Sequence, residues 1–155
     1  MQLIDNRENT KEKAKDFINS LNHDIYLVGR NKYSISLTNW LKSLNKNVAG
    51  YIDDYTEFDS YDNLPIFKSN SVNYSESAII NCVVEGSCVN TQRFINVLGS
   101  ELISNYFELQ YTFDSNLIPI EHMGNTDDIQ FFQNTYHEIG EKLIDDKSKR
   151  EFWAV

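Results

Sequence analysis

The sequence predicts an α/β fold: a doubly wound, mainly parallel sheet with helices added at its N-terminal and C-terminal ends. Three observations predict it. Short apolar runs at 25–28, 48–52 and 78–84 lack the in-out alternation of a half-solvated sheet and match strands buried on both faces. Single helices or crossover segments separate the runs, which implies parallel pairing with right-handed connections. The first run stops at Gly29, directly ahead of an amphipathic segment, the strand–turn–helix order of such sheets.

Taken in order, Thr10 to Leu21 reads as a helix with Thr10 as N-cap. Ala14, Phe17, Ile18 and Leu21 share one face, and Asn22 ends it. Ile25 to Val28 is the first strand. From about Asn31 to Leu44 a helix carries the stripe Leu37, Trp40, Leu41 and Leu44. Val48 to Ile52 is the second strand and finishes in Asp53-Asp54. The loop YTEFDSYDN follows, then LPIF at 64–67, a short extended piece in which Pro65 rules out a long central strand. Residues 71–77 suggest a helical turn, and 78–84 is the most strand-like run. Val89 to Leu98 returns to helical spacing, and 106–111 reads as a final strand. From Thr126 a long helix is expected through Ile129, Phe132, Tyr136, Ile139 and Leu143. The expected organisation is an N-terminal helix at 1–22, the sheet domain at 23–125 and a helical segment at 126–155. The apolar cluster Phe152, Trp153 and Val155 suggests that the chain continues into a further domain or that its end packs back on the fold.

At 155 residues the chain is about one domain, with enough apolar and aromatic side chains for a real core. The net charge of −9 argues against a nucleic-acid backbone or an anionic membrane surface as partner. No apolar run approaches the ~20 residues of a membrane span. No apolar signal core opens the chain, and two cysteines are too few for a disulfide framework, so a cytoplasmic location is expected.

A dinucleotide-binding turn uses G-x-G-x-x-G: one glycine for the turn, one for close approach of pyrophosphate, one for helix packing. Here the three positions hold Gly29, Asn31 and Ser34. Asn tolerates unusual backbone angles and Ser is small, so the turn forms, but pyrophosphate approach at Asn31 is harder. Arg30 and Lys32 add positive charge beside a helix N-terminus. Asp53, 24 residues after Gly29, stands where a carboxylate binds ribose hydroxyls. The candidate ligand site is therefore Gly29, Arg30, Asn31, Lys32, Ser34, Asp53 and Asp54, for a sugar or nucleotide-sugar. The structural alternative is that Gly29 only makes the turn and the aspartates only end a strand.

Other motifs carry less. HEIGE at 137–141 lacks the second His of a zinc helix, and His23, His122 and His137 have no ligand spacing. Cys82 fits a buried small hydrophobe, and a nucleophilic Cys88 would need a nearby His that the sequence does not show. No catalytic residue and no metal site are expected. Tyr51, Tyr55, Phe58 and Tyr61 either stack a base or sugar or cover the sheet edge. There is no acidic residue plus Gly-rich turn of the kind that S-adenosylmethionine needs, so methyl transfer by this segment itself is not expected.

The stretches IYLVGRNKYSISLTNWLKSLNKNVAGYIDD, LPIF and AIINCVV together resemble the small Rossmann-like N-terminal domain of bacterial sugar-modifying enzymes. Those include the PglD-type sugar acyltransferases and the FkbM-type methyltransferases. In LIDDKSKREFWAV, Asp145, Ser148, Lys149 and Phe152 resemble the segment that leads into the methyltransferase domain of FkbM-type proteins. The resemblance implies a non-catalytic N-terminal domain that positions a sugar or nucleotide-linked acceptor in glycan or polysaccharide synthesis. S-adenosylmethionine would then belong to a downstream catalytic domain. The alternatives are a protein-interaction or oligomerisation module, or the nucleotide-sugar domain of an acyltransferase.

Overall fold

The structure, a computed structural model, describes residues 7–84 and 87–120. The order is α1 (Arg7–Ser20), β1 (Asp24–Val28), α2 (Lys32–Ser43), β2 (Val48–Ile52), β3 (Ser60–Tyr61), β4 (Leu64–Phe67), a 3-10 turn (Ser69–Ser71), β5 (Ser77–Asn81), α3 (Ser87–Asn96), β6 (Leu102–Asn105) and α4 (Tyr106–Thr112). The chain divides into two compact units, Met1–Pro119 and Ile120–Val155. The helix expected over 126–155, the HEIGE segment and the side chain of Cys88 lie outside the described residues.

The strands form one sheet in the order β3-β4-β2-β1-β5-β6. All neighbours are parallel except β3 and β4. Counted along the chain, the five parallel strands stand in the order third, second, first, fourth, fifth, which is the Rossmann arrangement. The chain reverses direction across the sheet between β1 and β5, so a crevice forms at the carboxyl ends of these two strands.

Both faces of the sheet are covered, which explains the continuous apolar runs. On one face Val28, Ile52, Ile79, Tyr74 and Phe94 form a cluster with Tyr26 and Ile103 at its margin. Strand alternation turns Ile25, Leu27, Tyr51, Ala78 and Ile80 to the other face, and all five are fully buried. There Thr38 on α2 hydrogen-bonds Tyr51 at 3.2 Å, and Tyr33 meets Tyr106 of α4 with ring centroids 5.1 Å apart.

Gly50 has a packing role on the first face. A Cβ there would lie 2.4 Å from the Pro65 carbonyl oxygen and 2.7 Å from the Phe67 ring. Without it, Phe67 leans back across β2 and meets Tyr26 of β1 edge-on at 5.2 Å.

Several elements differ from expectation. Residues 106–111 are helical, and the last strand is the preceding Leu102–Asn105, in register with Ala78–Asn81. Asn105 decides this: its side chain accepts from the Glu108 N–H at 3.0 Å and caps the helix, while Tyr106 and Leu109 are buried three residues apart. Thr10 is not an N-cap but lies inside α1. The turn expected at 71–77 falls at Ser69–Ser71. Strand β5 stops at Asn81, whose side chain takes the Val83 N–H at 3.1 Å. Strand β3 was not expected. It is joined to β4 by the two-residue turn Asp62-Asn63, with φ of +47° and +60°, the hairpin geometry that Asn and Asp favour.

Candidate functional site

The turn after β1 owes its shape to Gly29 and Asn31. Gly29 has φ of +93°, and a Cβ would stand 2.9 Å from Val83 Cγ2, so glycine is required both for the backbone and for the approach of the chain leaving β5. Asn31 is the N-cap of α2 in extended conformation. Its Oδ1 accepts from the Tyr33 and Ser34 N–H groups, each at 3.0 Å. Its Nδ2 donates to the Cys82 carbonyl at 2.9 Å, tying the turn to the end of β5. Ser34 is fully buried, and its hydroxyl accepts from the Asn31 N–H at 3.1 Å and donates to the Asn31 carbonyl at 2.9 Å. This is a complete capping box.

That arrangement does not fit a dinucleotide. The pyrophosphate of such a ligand sits on free N–H groups at the helix start. Two of those N–H groups are engaged by Asn31, and Val83 lies against Gly29. Asn31 therefore plugs the phosphate position and seals the crevice with its own amide.

The charged residues assemble beside this plug. The Arg30 Nε donates to Asp53 Oδ2 at 2.6 Å, with the two side chains only 25% and 16% exposed. The Arg30 guanidinium faces the rings of Tyr61 at 5.7 Å and Phe58 at 5.9 Å. Asp53 Oδ1 accepts from the Tyr55 N–H at 2.8 Å. Burial works to raise the Asp53 carboxyl, but the Arg30 and Tyr55 hydrogen bonds and the charges of Arg30 and Lys68 outweigh it, so it is held below the usual carboxylate range. Lys32 lies with its ammonium 5.3 Å from the Tyr33 ring.

Asp54 points elsewhere. It accepts from the Ser69 N–H at 2.7 Å, the Ser69 hydroxyl at 2.8 Å and Arg93 of α3 at 3.2 Å. Burial opposes ionisation here too, and the Ser69 and Arg93 bonds outweigh it and lower the carboxyl. Asp54 therefore braces the loop against α3. Lys68 completes the brace by donating to the Asp53, Asp54 and Thr56 carbonyls. Tyr61 of β3 packs edge-on against the buried Tyr51 of β2, with ring centroids 5.2 Å apart, whereas Tyr55 and Phe58 on the held loop project into solvent, 94% and 73% exposed.

The seven residues singled out from the sequence thus share the carboxyl ends of β1 and β2, with distinct tasks. Sequence reasoning missed Lys68, Ser69 and Arg93, which lie up to 39 residues from the group they hold. No local pattern marks such partners. A separate cleft of about 330 Å³, lined by Ser20, His23, Tyr74, Ser77 and Glu101 among others, opens at the amino ends of β5 and β6, away from the crevice. Cys82 is fully buried, and burial pushes its thiol up, which leaves it a poor nucleophile. Among the described residues no cluster of His, Cys, Asp or Glu is suited to a metal ion.

The strand order and the turn define a Rossmann-like α/β domain. No protein-family model, no curated protein and no solved structure matches the chain. Among the described residues no helix is long and apolar enough to cross a membrane.

Proposed function

We infer that this is a non-catalytic binding domain that holds a sugar at the carboxyl ends of β1 and β2. It would serve as the acceptor-positioning part of an S-adenosylmethionine-dependent methyltransferase of glycan synthesis. One observation carries the sugar-binding reading: Arg30 and Asp53 are paired directly beside Phe58 and Tyr61 on a braced loop. Carboxylate and guanidinium are suited to sugar hydroxyls, and an exposed ring offers an apolar face for stacking. Asp53 still has lone pairs beyond those used by Arg30 and Tyr55. Asn31, which occupies the phosphate position, favours the sugar over a nucleotide as the part recognised. The methyltransferase connection rests on the resemblance of 23–155 to FkbM-type proteins.

The test is a thermal-shift panel of sugars, nucleotide-sugars and free nucleotides. A ligand at 100 times its Kd stabilises by about 2.7 kcal/mol. Stabilisation by sugars that Asp53→Ala removes is the expected result. Stabilisation by free nucleotides alone would overturn the reading. The exposure of Tyr55 and Phe58 also favours a second reading, a protein-interaction module, in which no small molecule stabilises the chain. The mass of the native gene product tests the methyltransferase connection: a product of 18.1 kDa would refute it.

A further inference from the structure

We propose that the loop from Tyr55 to Asp62 is a docking surface for a partner protein, and that the partner presents a segment rich in lysine and arginine. The proposal rests on the protein-interaction reading above and adds the chemistry of the partner. Tyr55 and Phe58 are the two most exposed large apolar side chains among the described residues. The rings beside them are used within the fold, Tyr61 against Tyr51 and Phe67 against Tyr26. The Tyr55 ring has no such partner among the described residues, and Phe58 meets Arg30 yet keeps most of its surface in water. A loose loop is not the cause. The Tyr55 N–H is held by Asp53 at 2.8 Å and the Phe58 N–H by the Thr56 hydroxyl at 3.2 Å. Lys68 ties three loop carbonyls, and Asp54 fastens the loop to Ser69 and Arg93. Rings fixed in this way lose little freedom on association, and Tyr and Phe are favoured at protein interfaces. Tyr55 stands out from the surface, whereas small-molecule sites are concave, so the complementary surface belongs to a protein.

The exposed rings make the surface, and the charges around them name the partner. Asp53 is offset by Arg30 and Asp54 by Arg93. Glu57, Asp59 and Asp62 are exposed and form no ion pair among the described residues. Lys68 opposes these three with one positive charge, so the rim of the rings is negative. Complementary charge across an interface steers association and excludes like-charged partners. A cationic side chain gains twice on this surface, from the carboxylates and from the open face of an aromatic ring. The net charge of −9 works in the same direction at longer range.

The experiment selects binders of the full 155-residue chain from a random peptide library displayed on phage. The selected peptides are then synthesised and titrated by fluorescence anisotropy. The expected binders carry net positive charge. Tyr55→Ala should weaken them about fivefold or more, and the double variant Glu57→Gln, Asp59→Asn should weaken them as well. Tyr55→Ala keeps the net charge of −9, so a general attraction to an acidic chain would survive it. Both variants should keep the wild-type circular dichroism spectrum, because none of the three side chains has a partner among the described residues. Neutral or acidic peptides that depend on Tyr55 would overturn the basic partner and leave the protein-interaction reading standing. Basic peptides that bind Tyr55→Ala as tightly as the wild type would overturn the assignment of the surface to this loop. Selection of no binding peptide would remove the protein-interaction reading together with the proposal.

Discussion

Replacing Asn31 separates what this turn does for the fold from what it denies a ligand. In Asn31→Ala the Tyr33 and Ser34 N–H groups lose their common acceptor, and the Cys82 carbonyl loses its donor. Loss of a helix N-cap costs about 1 kcal/mol. Leaving a buried carbonyl unsatisfied costs about 1–3 kcal/mol, and Cys82 is fully buried. The expected destabilisation is therefore about 2–4 kcal/mol. Asn31→Ser keeps a capping oxygen and loses only the bridge to β5, so it should retain about 1 kcal/mol relative to Asn31→Ala. Urea denaturation of both variants at neutral pH, followed by circular dichroism, measures the two values on one scale. A loss below about 0.5 kcal/mol for Asn31→Ala would place it among ordinary surface substitutions and refute the account of Asn31 as a structural plug.

Gly50→Ala should lose about 2–4 kcal/mol, because the new methyl overpacks against the Pro65 carbonyl and displaces Phe67 from Tyr26; a melting temperature equal to the wild type would contradict that. Asp53→Asn should lose about 2 kcal/mol at pH 7, between the small effect of exposed pairs and the larger effect of breaking buried ones. The folded-state pKa of Asp53 is lowered, so the wild-type advantage is full above the ordinary carboxylate range and disappears as pH falls through the folded pKa. Stability curves of the two proteins should converge below about pH 4, and a constant gap down to pH 2 would count against the ion pair. In a Cys88→Ser background, iodoacetamide at pH 8 should leave Cys82 unmodified in the native protein and alkylate it in denaturant; rapid native labelling would mean that the carboxyl end of β5 is open.

Much of the fold follows from chain-local patterns. The runs at 25–28, 48–52 and 78–81 are strands because β-branched and aliphatic residues without alternation suit burial on both faces. The stripe Leu37, Trp40 and Leu41 is legible as a buried helix face for the same kind of reason. Where two patterns compete over a few residues, periodicity is not enough. YFELQY fits a short strand or a helix, and the choice was made by the Asn105 cap and by the pairing of the preceding four residues with β5. The β3–β4 hairpin lay behind an acidic-aromatic stretch that reads as loop, although Asp62-Asn63 between two short segments carried the turn signal.

That Gly29 ends the first strand, that Asn31 and Ser34 replace two glycines and that Asp53 closes the second strand can all be read along the chain. These are contacts of short range, set by backbone angles and helix capping. What the charges do depends on the folded arrangement of the strands. Arg30 meets Asp53 across 23 residues, Asp54 meets Arg93 across 39, and Asn31 meets the Cys82 carbonyl across 51. Strand order brings those partners together, and no local periodicity encodes the distance between residues on separate strands.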